Sequence, residues 1–529
     1  MKKLLFKLGT FALAAVSAFS VFGATGCKKN TDTTDTLVIE VAKLGYGTEW
    51  LKSIGKAWSD ETGNKVKIEE KIGSAGTDAI AEEINSLASQ TDIFVYRTGE
   101  YAKKVYEGKI THGGESYDCV FTDLTDVVRK PLSGENGATI ESKLNSSVKD
   151  IYRINDKYYG LPWIDGVMGI LRNVTLWNNL GLTDADIPLT TDELFATCEK
   201  IKMAAASNQK YQNVAPFIYS GSDEYYSSFM TAWFMQYEGK ENGEKFLQGL
   251  DPSGTISQNI FGYEGQLEMF NVLEKLVKKS NGYQHKDSEA LSFTNMQGQF
   301  LLNQSVFCVN GAWIEIEMGS NYPDVNIEFI KTPVISALAK KLSFYSESAT
   351  DNDQKLSQIV KFVDQNASGY NGKPDFATEN DVDIVRAARK INYNSQSGAH
   401  VLAASSYSKK TDMIKSFVEF MYSDKGLIEY YKATNGAKMP LSLSSQGKYP
   451  DIKLSAFQKK VSEIAPEEIF VYASSSKLFS VGGVSVMFNN GINEYVKSLA
   501  NGSITGSGVL AKNREYVSSN WSIISNKIK

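Results

Sequence analysis

Residues 37–72 read LVIEVAKLGYGTEWLKSIGKAWSDETGNKVKIEEKI, and their pattern decides the fold class. Residues 37–42 are mostly apolar and predict a strand. Five apolar residues then recur on one face at helical spacing: Trp50, Leu51, Ile54, Ala57 and Trp58. Gly63-Asn64 ends this helix, and residues 66–72 predict a second strand. The stretch is therefore a strand–helix–strand unit, and we assign its two tryptophans, together with Trp177, to the core.

The same alternation continues outward from this unit. Residues 78–89 have a helical pattern and lead to a short apolar run at 92–96, which predicts a third strand. Strands that alternate with helices at this spacing predict a parallel sheet flanked by helices, which is an α/β fold. Ligands of such sheets bind at the loops beyond the carboxyl ends of the strands. Residues 43–47 and 97–99 are therefore the first candidate binding loops.

Four side chains at these two loops are candidate ligand contacts. Lys43 begins the first loop and Glu49 follows it, whereas Tyr96 ends the third predicted strand and Arg97 begins the second loop. The alternative for Arg97 is that it ties down its own loop.

The first 26 residues have the pattern of an export signal. Three lysines form a positive start: Lys2, Lys3 and Lys7. Residues 8–22 carry no charge and are mostly apolar, as a signal peptide requires. The following Ala24-Thr25-Gly26-Cys27 resembles a bacterial lipobox, in which the cysteine becomes the lipidated first residue. We expect a signal peptide at 1–26, lipidation at Cys27 and a tether at 27–35; an ordinary cleaved signal is the alternative.

Composition and charge argue against several function classes. A chain of 529 residues with 42% hydrophobic residues can fill two or more domains. Its net charge of -5, with both signs mixed, offers no basic face for nucleic acid. Six residues lack metal-ligand or catalytic-triad spacing: Cys119, Cys198, Cys308, His112, His285 and His400. We expect no metal, no cofactor and no enzymatic activity, and we place Cys198 and Cys308 in the core.

The later chain repeats the alternation of helices and strands. Residues 168–172 and 306–309 predict buried strands, and residues 296–302 predict a helix. Four residues mark a further amphipathic helix: Ile414, Phe417, Val418 and Met421. Residues 337–390 are polar and interrupted, with a turn signal at Asn371-Gly372-Lys373-Pro374.

Four short motifs carry a resemblance to a known family. They are YGLPW at 159–163 followed by GILRN at 169–173, PLTTDEL at 188–194, FCVNGAW at 307–313, and the stretch from Ser405 to Gly426. In this order they resemble the extracellular solute-binding proteins of carbohydrate ABC importers, the broad family of maltose-binding protein. At Thr191 the chain departs from the family, which usually has tryptophan there.

The resemblance implies a two-lobe, periplasmic-binding-protein-like fold of type II, with a hinge and a cleft between the lobes. The first lobe is expected to comprise 36–163 and 331–422, with 337–390 as an insertion on its surface. The second lobe is expected to comprise 164–330 and 423–529. Two alternatives for 337–390 are a wall of the cleft or an element that docks a partner.

Sugar binding requires flat aromatic rings for the C–H faces and polar groups for the hydroxyl rim. The resemblance implies stacking rings from Trp163, Trp313 and one of Tyr225 and Tyr226. Asp165, beside Trp163, and Arg97 are expected to bind the rim.

The expected function is that of a monomeric, lipid-anchored binding protein at the bacterial cell surface or in the periplasm. It captures a sugar or oligosaccharide and delivers it to the permease subunits of an ABC importer, without altering the ligand. Two alternatives stay open. One is the same fold with a non-sugar solute such as a peptide, polyamine or organic anion; the other is an extracellular glycoside hydrolase.

Overall fold

The computed structural model describes residues 35–529 except 224, 324–325, 392–393, 396, 465–469, 472–475 and 485–491. The expected signal peptide, the expected lipidation at Cys27 and all but the last residue of the expected tether lie outside these residues. Among the described residues, no helix combines the length and the apolar character that crossing a bilayer requires.

The strands within the described residues are β1 (Thr36–Lys43), β2 (Lys65–Ile72), β3 (Ile93–Arg97), β4 (Ile110–His112), β5 (Glu115–Tyr117), β6 (Arg153–Ile154), β7 (Lys157–Tyr158), β8 (Gly160–Pro162), β9 (Val167–Asn173), β10 (Ala215–Ile218), β11 (Ser305–Gly311), β12 (Ile327–Ile330), β13 (Asn394–Ser395), β14 (His400–Ala404) and β15 (Phe470–Val471).

The α-helices are α1 (Glu49–Thr62), α2 (Gly73–Ser86), α3 (Tyr101–Tyr106), α4 (Thr125–Arg129), α5 (Ile140–Lys143), α6 (Ser146–Tyr152), α7 (Val174–Asn179), α8 (Thr191–Ala206), α9 (Ser227–Glu238), α10 (Lys240–Leu247), α11 (Glu264–Val277), α12 (Phe293–Leu301), α13 (Ile314–Met318), α14 (Asn352–Gln365), α15 (Glu379–Lys390), α16 (Thr411–Tyr422), α17 (Asp424–Ala433), α18 (Ala456–Ile464), α19 (Lys477–Ser480), α20 (Ile492–Asn501) and α21 (Gly506–Ile528).

The first sheet has the strand order β2-β1-β3-β14-β8. β1 pairs in parallel with both β2 and β3, which confirms the parallel arrangement that residues 37–96 predict. β14 pairs antiparallel with β3 and with β8, so the complete sheet is mixed. The parallel strands β1–β3 therefore direct their carboxyl ends to one edge, where the loops that follow them meet.

The second sheet has the strand order β10-β11-β9-β13-β15, with β12 paired to β9 beside this path. β10 and β11 are parallel, whereas β9 is antiparallel to β11, β12 and β13. All seven residues of β9 and of β11 are buried, because helices and neighbouring strands cover both faces. The predicted strands at 168–172 and 306–309 are thus confirmed, and the protein is a mixed α/β structure with two mixed sheets.

Each sheet has its own large hydrophobic core, and both belong to one compact unit, Thr36–Lys529. The first core contains Trp50 and Trp58 of α1, and the second contains Trp177 of α7, as the sequence predicts. Cys198 and Cys308 are fully buried, which confirms their predicted core positions.

Residues 337–390 do not form the expected surface excursion from the first lobe. α14 buries Leu356, Ile359 and Val360, and α15 buries Val382 and Val385, all within the second core. Arg389 fixes the pair of helices, since its guanidinium binds both carboxylate oxygens of Asp364 at 3.0 and 2.9 Å. The segment therefore packs with the second sheet because its helices have apolar faces that the polar average composition hides.

The packing also departs from the lobe boundary expected between residues 422 and 423. Leu427 and Tyr430 of α17, and then Met439 and Leu441, lie in the first core rather than in the second. The chain returns to the second sheet only at α18, which packs against β12.

Candidate functional site

A cavity of about 430 Å³ lies between elements of the two sheets. Its size falls within the range of small-molecule sites. The first wall comes from the carboxyl ends of β1 and β3, the loop after β1 and the start of α2. It contributes Lys43, Leu44, Gly45, Tyr46, Gly73, Ser74, Thr77, Asp78 and Arg97. The second wall comes from elements around the second sheet and contributes Met168, Ser222, Asp223, Tyr225, Phe293, Trp313 and Glu317. Trp163, Ile164 and His400, near the points where the chain passes between the sheets, complete the lining.

Trp313 lies two residues after the end of β11, and its ring packs closely against glycine backbone. A Cβ on Gly45 would lie 2.5 Å from Trp313 Cδ1, and one on Gly166 would lie 3.0 Å from Cζ3. A Cβ on Gly311 would overlap the six-membered ring. Tyr46 adds an edge-to-face contact with ring centroids 6.4 Å apart. The indole is 8% exposed and therefore presents a fixed, narrow aromatic surface to the cavity.

Trp163 also borders the cavity, but most of its ring is packed inside the first core. It is 1% exposed and stacks on Trp50 with centroids 5.1 Å apart and planes 11° apart. The ring of His400 makes an edge contact with Trp163, with ring centroids 5.1 Å apart. The Nε1–H of Trp163 donates to the carbonyl of Tyr96 at 3.3 Å. Trp163 therefore has little free ring surface in this conformation.

The phenol of Tyr225 is influenced by charged groups from both walls of the cavity. Its ring stacks on Phe293 with centroids 5.7 Å apart, and both rings line the cavity. Burial raises the pKa of the Tyr225 phenol, and the Glu317 carboxylate raises this pKa further, whereas the Arg97 guanidinium lowers it. The phenol thus lies within electrostatic reach of a cation from the first wall and an anion from the second.

Glu317 is the partly buried carboxylate of the second wall. Its Oε2 accepts a hydrogen bond from Nε2 of Gln297 at 2.8 Å. Gln297 is fully buried, and the same Nε2 lies 3.3 Å from Oδ1 of Asn310. Burial raises the pKa of Glu317 above its usual value, because the amide of Gln297 compensates only part of the lost hydration.

The first wall supplies smaller polar groups at the start of α2. Gly73 has a φ of 60°, a left-handed conformation that lets the chain turn directly from β2 into the helix. Thr77, one turn later, has a buried hydroxyl oxygen without a hydrogen-bond partner among the described residues. A ligand hydroxyl would satisfy it. Lys43 is half-exposed at the rim, and its Nζ is 3.9 Å from Glu70.

The structure brings five of the nine predicted ligand contacts to this cavity: Lys43, Arg97, Trp163, Tyr225 and Trp313. The other four lie elsewhere. Glu49 is 77% exposed on α1 and pairs with Lys52, and the ring of Tyr226 is buried edge-on against Tyr219. Tyr96 is buried in β3.

Asp165, the remaining predicted contact, lies where three chain segments that pass between the sheets meet. Its backbone N–H donates to the carbonyl of Lys438 at 3.0 Å. Its Oδ1 accepts from the hydroxyl of Ser397 at 2.9 Å. The three segments are the β8–β9 connection, the residues before β14, and the chain from α17 to α18. Asp165 therefore links these segments and does not line the cavity.

Sequence reasoning missed most of the polar lining. Thr77 and Asp78 belong to the helix that follows β2, and the rule that placed candidates after β1 and β3 applies to this strand end as well. Asp223 and Phe293 are joined, since the N–H of Phe293 donates to Asp223 Oδ2 at 2.7 Å, and no local motif marks that contact. Glu317 follows Trp313 by one helical turn, a spacing that could have suggested it.

The cavity thus combines a rigid indole, a stacked tyrosine, an orphan hydroxyl and a carboxylate. This set can stack on an apolar face and exchange hydrogen bonds with a polar rim. Such groups bind a small polar molecule without any need for a nucleophile or a metal ion in the binding step.

Comparisons with known proteins agree with this geometry. A family model, the bacterial extracellular solute-binding protein, matches residues 44–428. None of the curated proteins matches the chain in sequence.

Three solved structures are similar in fold. A chitin oligosaccharide binding protein has 16% identity and a TM-score of 0.58, with 92% of this chain and 98% of that chain covered. RafE of Streptococcus pneumoniae, in complex with raffinose, has 14% identity, a TM-score of 0.54 and coverage of 91% and 98%. A sugar transporter from Bacillus licheniformis, in complex with stachyose, has 16% identity, a TM-score of 0.51 and coverage of 91% and 98%. Since the family match spans more than half of the chain, this protein belongs to the bacterial extracellular solute-binding proteins.

Proposed function

We propose that this solute-binding protein captures a sugar or oligosaccharide in the cavity and delivers it to the permease subunits of an ABC importer. The observation that carries the proposal is the glycine seat of Trp313, meaning the backbone of Gly45, Gly166 and Gly311 that packs against its ring. This packing fixes the ring at the edge of the cavity. A fixed indole suits the apolar face of a pyranose, and Thr77, Tyr225 and Glu317 suit its hydroxyls. The three similar structures support a saccharide ligand, because two of them hold raffinose or stachyose and the third is a chitin oligosaccharide binding protein.

The proposal includes a hinge between two lobes that follow the two cores. Residues 36–163 then form most of the first lobe, which also takes α16 and α17, while α14 and α15 belong to the second. The segments joined at Asp165 would form the hinge. A ligand that contacts both walls stabilises the closed form, because only the closed form provides all contacts at once.

The proposal also includes anchoring through a lipidated Cys27 after removal of residues 1–26. The lipobox-like Ala24-Thr25-Gly26-Cys27 supports it. Labelled palmitate should be incorporated into the wild-type chain in a bacterial host and not into Cys27→Ser. Equal labelling of both chains would contradict the anchor and leave the binding proposal intact.

A thermal-shift and calorimetry screen tests ligand binding. Raffinose, stachyose, chitotriose and xylotriose serve as probes, because similar structures bind or are named for such saccharides. A true ligand at about 100 times its Kd should stabilise the protein by ~2.7 kcal/mol. Failure of every saccharide, with stabilisation by a peptide or polyamine instead, would overturn the proposal.

A substitution then tests the site. Trp313→Ala should weaken the binding of the best probe about thirtyfold, since a buried tryptophan anchor contributes ~2 kcal/mol or more. Trp521→Ala is the matched control, because Trp521 is only partly buried on α21 and lies outside the cavity lining. Equal affinity of the two variants would remove Trp313 from the site.

A further inference from the structure

Glu317 is a partly buried carboxylate at the cavity, where Gln297 is its only hydrogen-bond donor among the described residues. Within the same described residues, Asp251 and Asp381 are also buried without a cation, but each accepts several hydrogen bonds from hydroxyls and backbone N–H groups. Asp92 pairs with Lys410 at 2.9 Å, and Asp364 is bound through both oxygens by Arg389. Glu317 makes no ion pair with any described lysine, arginine or histidine, and Gln297 is the donor that holds it. A carboxylate that is removed from water without a cation is costly unless donors replace the water. Its second oxygen accepts no hydrogen bond from the part of the chain that the structure describes.

The surroundings of Glu317 fix this carboxylate at the cavity. Gln297 is fully buried on α12, so it cannot turn away to solvent, and α13 starts immediately after Trp313. Glu317 lies one helical turn beyond the ring, so a saccharide stacked on the indole would bring its hydroxyl rim to the carboxylate. A carboxylate can accept from two neighbouring hydroxyls, and a bond to a charged acceptor is stronger than one between neutral groups.

The cations of the cavity do not offset Glu317. Lys43 and Arg97 are both exposed on the first wall, where water screens their charges. The remaining acids of the lining are Asp78, which is exposed, and Asp223, whose Oδ2 already accepts from the N–H of Phe293. An anionic group brought beside the ring would therefore meet a partly buried, like-charged neighbour.

We propose that Glu317 is a specificity-determining residue that accepts hydroxyl hydrogen bonds from neutral saccharides and excludes saccharides that carry a carboxylate. This inference rests on the proposed function, because it assumes that the cavity binds saccharides. It goes further in assigning the selection of neutral over acidic sugars to one side chain, which Gln297 positions.

Calorimetry of the mature chain at pH 7.5 tests the inference with two kinds of probe. The neutral probes are raffinose, stachyose, chitotriose and xylotriose, and the acidic probe is trigalacturonate. We expect the wild type to prefer a neutral probe. Glu317→Gln should weaken that probe roughly tenfold to a hundredfold, since a hydrogen bond to a charged group contributes ~1.5–3 kcal/mol. The same variant should lower the neutral-to-acidic affinity ratio at least tenfold.

Glu315→Gln is the matched control. Glu315 lies two residues earlier on α13, accepts a hydrogen bond from the hydroxyl of Ser455 at 2.7 Å and does not line the cavity. The neutral-to-acidic affinity ratio of Glu315→Gln should therefore equal that of the wild type. An unchanged ratio in Glu317→Gln, while a neutral saccharide binds the wild type, would overturn this inference and leave the proposed function standing. A wild type that prefers trigalacturonate would overturn it as well. Binding of no saccharide at all would overturn both.

Discussion

Replacement of Lys143 by methionine should destabilise the protein strongly, because Lys143 forms ion pairs with two largely buried acids at once. Its Nζ lies 2.6 Å from Glu135 Oε2 and 2.7 Å from Asp424 Oδ1. The three side chains are only 3%, 6% and 14% exposed, so water cannot replace the lost cation. Removal of one partner of a buried pair costs ~3–5 kcal/mol. We expect Lys143→Met to lower the free energy of unfolding by about that amount at pH 7.5.

The loss of unfolding free energy in Lys143→Met should depend on pH with a defined sign. Burial alone would raise the pKa of Asp424, but hydrogen bonds from Lys143 and Ser444 outweigh it and hold this pKa below its usual value. A lowered folded-state pKa stabilises the fold above the unfolded pKa, ~3.9, and this contribution is lost as the pH falls through the folded value. Without Lys143, burial dominates and protonation relieves the unpaired carboxylate. The difference between wild type and variant should therefore be smaller at pH 4.5 than at pH 7.5.

Urea unfolding followed by tryptophan fluorescence measures both quantities. Lys425→Met is the control, because Lys425 forms an ion pair of similar length with Glu61, 2.7 Å, but with side chains 71% and 49% exposed. An exposed pair contributes ~0–1 kcal/mol. If Lys143→Met costs no more than Lys425→Met, or if its cost grows toward pH 4.5, the reasoning about buried charge is wrong.

Three further predictions concern the cavity, the helices α14 and α15, and the thiols. Gly45→Ala should weaken saccharide binding at least tenfold in calorimetry, because its Cβ would lie 2.5 Å from Trp313 Cδ1; Gly99→Ala, with open space around the Cβ, should bind as the wild type does. Arg389→Met should lower the free energy of unfolding by ~1–3 kcal/mol, since it leaves the buried carbonyl of Thr332 without its donor. The exposed Asp364 loses its bidentate partner but keeps Lys331 at 3.5 Å, and a loss below ~0.5 kcal/mol in urea would contradict this. Burial raises the pKa of the thiols of Cys119, Cys198 and Cys308, to about 11 for Cys119. In a Cys27→Ser chain, Ellman's reagent should therefore react with these thiols only after unfolding, and rapid labelling of the native chain would refute their burial.

The first sheet could be predicted from the sequence because its signals are local. The spacing of Trp50, Leu51 and Ile54 fixes the helical face, and apolar runs on either side fix the strands. The antiparallel partners β14 and β8 could not be read in the same way, because they come from distant parts of the chain and their pairing depends on tertiary packing.

The candidate site could be predicted only in part, for a similar reason. Trp163 and Trp313 both follow apolar segments, yet one stacks on Trp50 in the core and the other lies on glycine backbone at the cavity. Local sequence does not distinguish these environments. The helices α14 and α15 were obscured by average polarity, although Leu356, Ile359, Val360 and Val363 recur at helical spacing and do mark a buried face.

The glycine seat of Trp313 also limits how the binding preference of this protein can be altered. A ring that is immobilised before any ligand arrives costs little entropy at the moment of docking, so affinity depends on keeping Gly45, Gly166 and Gly311 unchanged. Directed evolution toward a new sugar should accordingly leave the platform alone and accumulate its useful changes among the polar groups around it, such as Ser222 and Thr77.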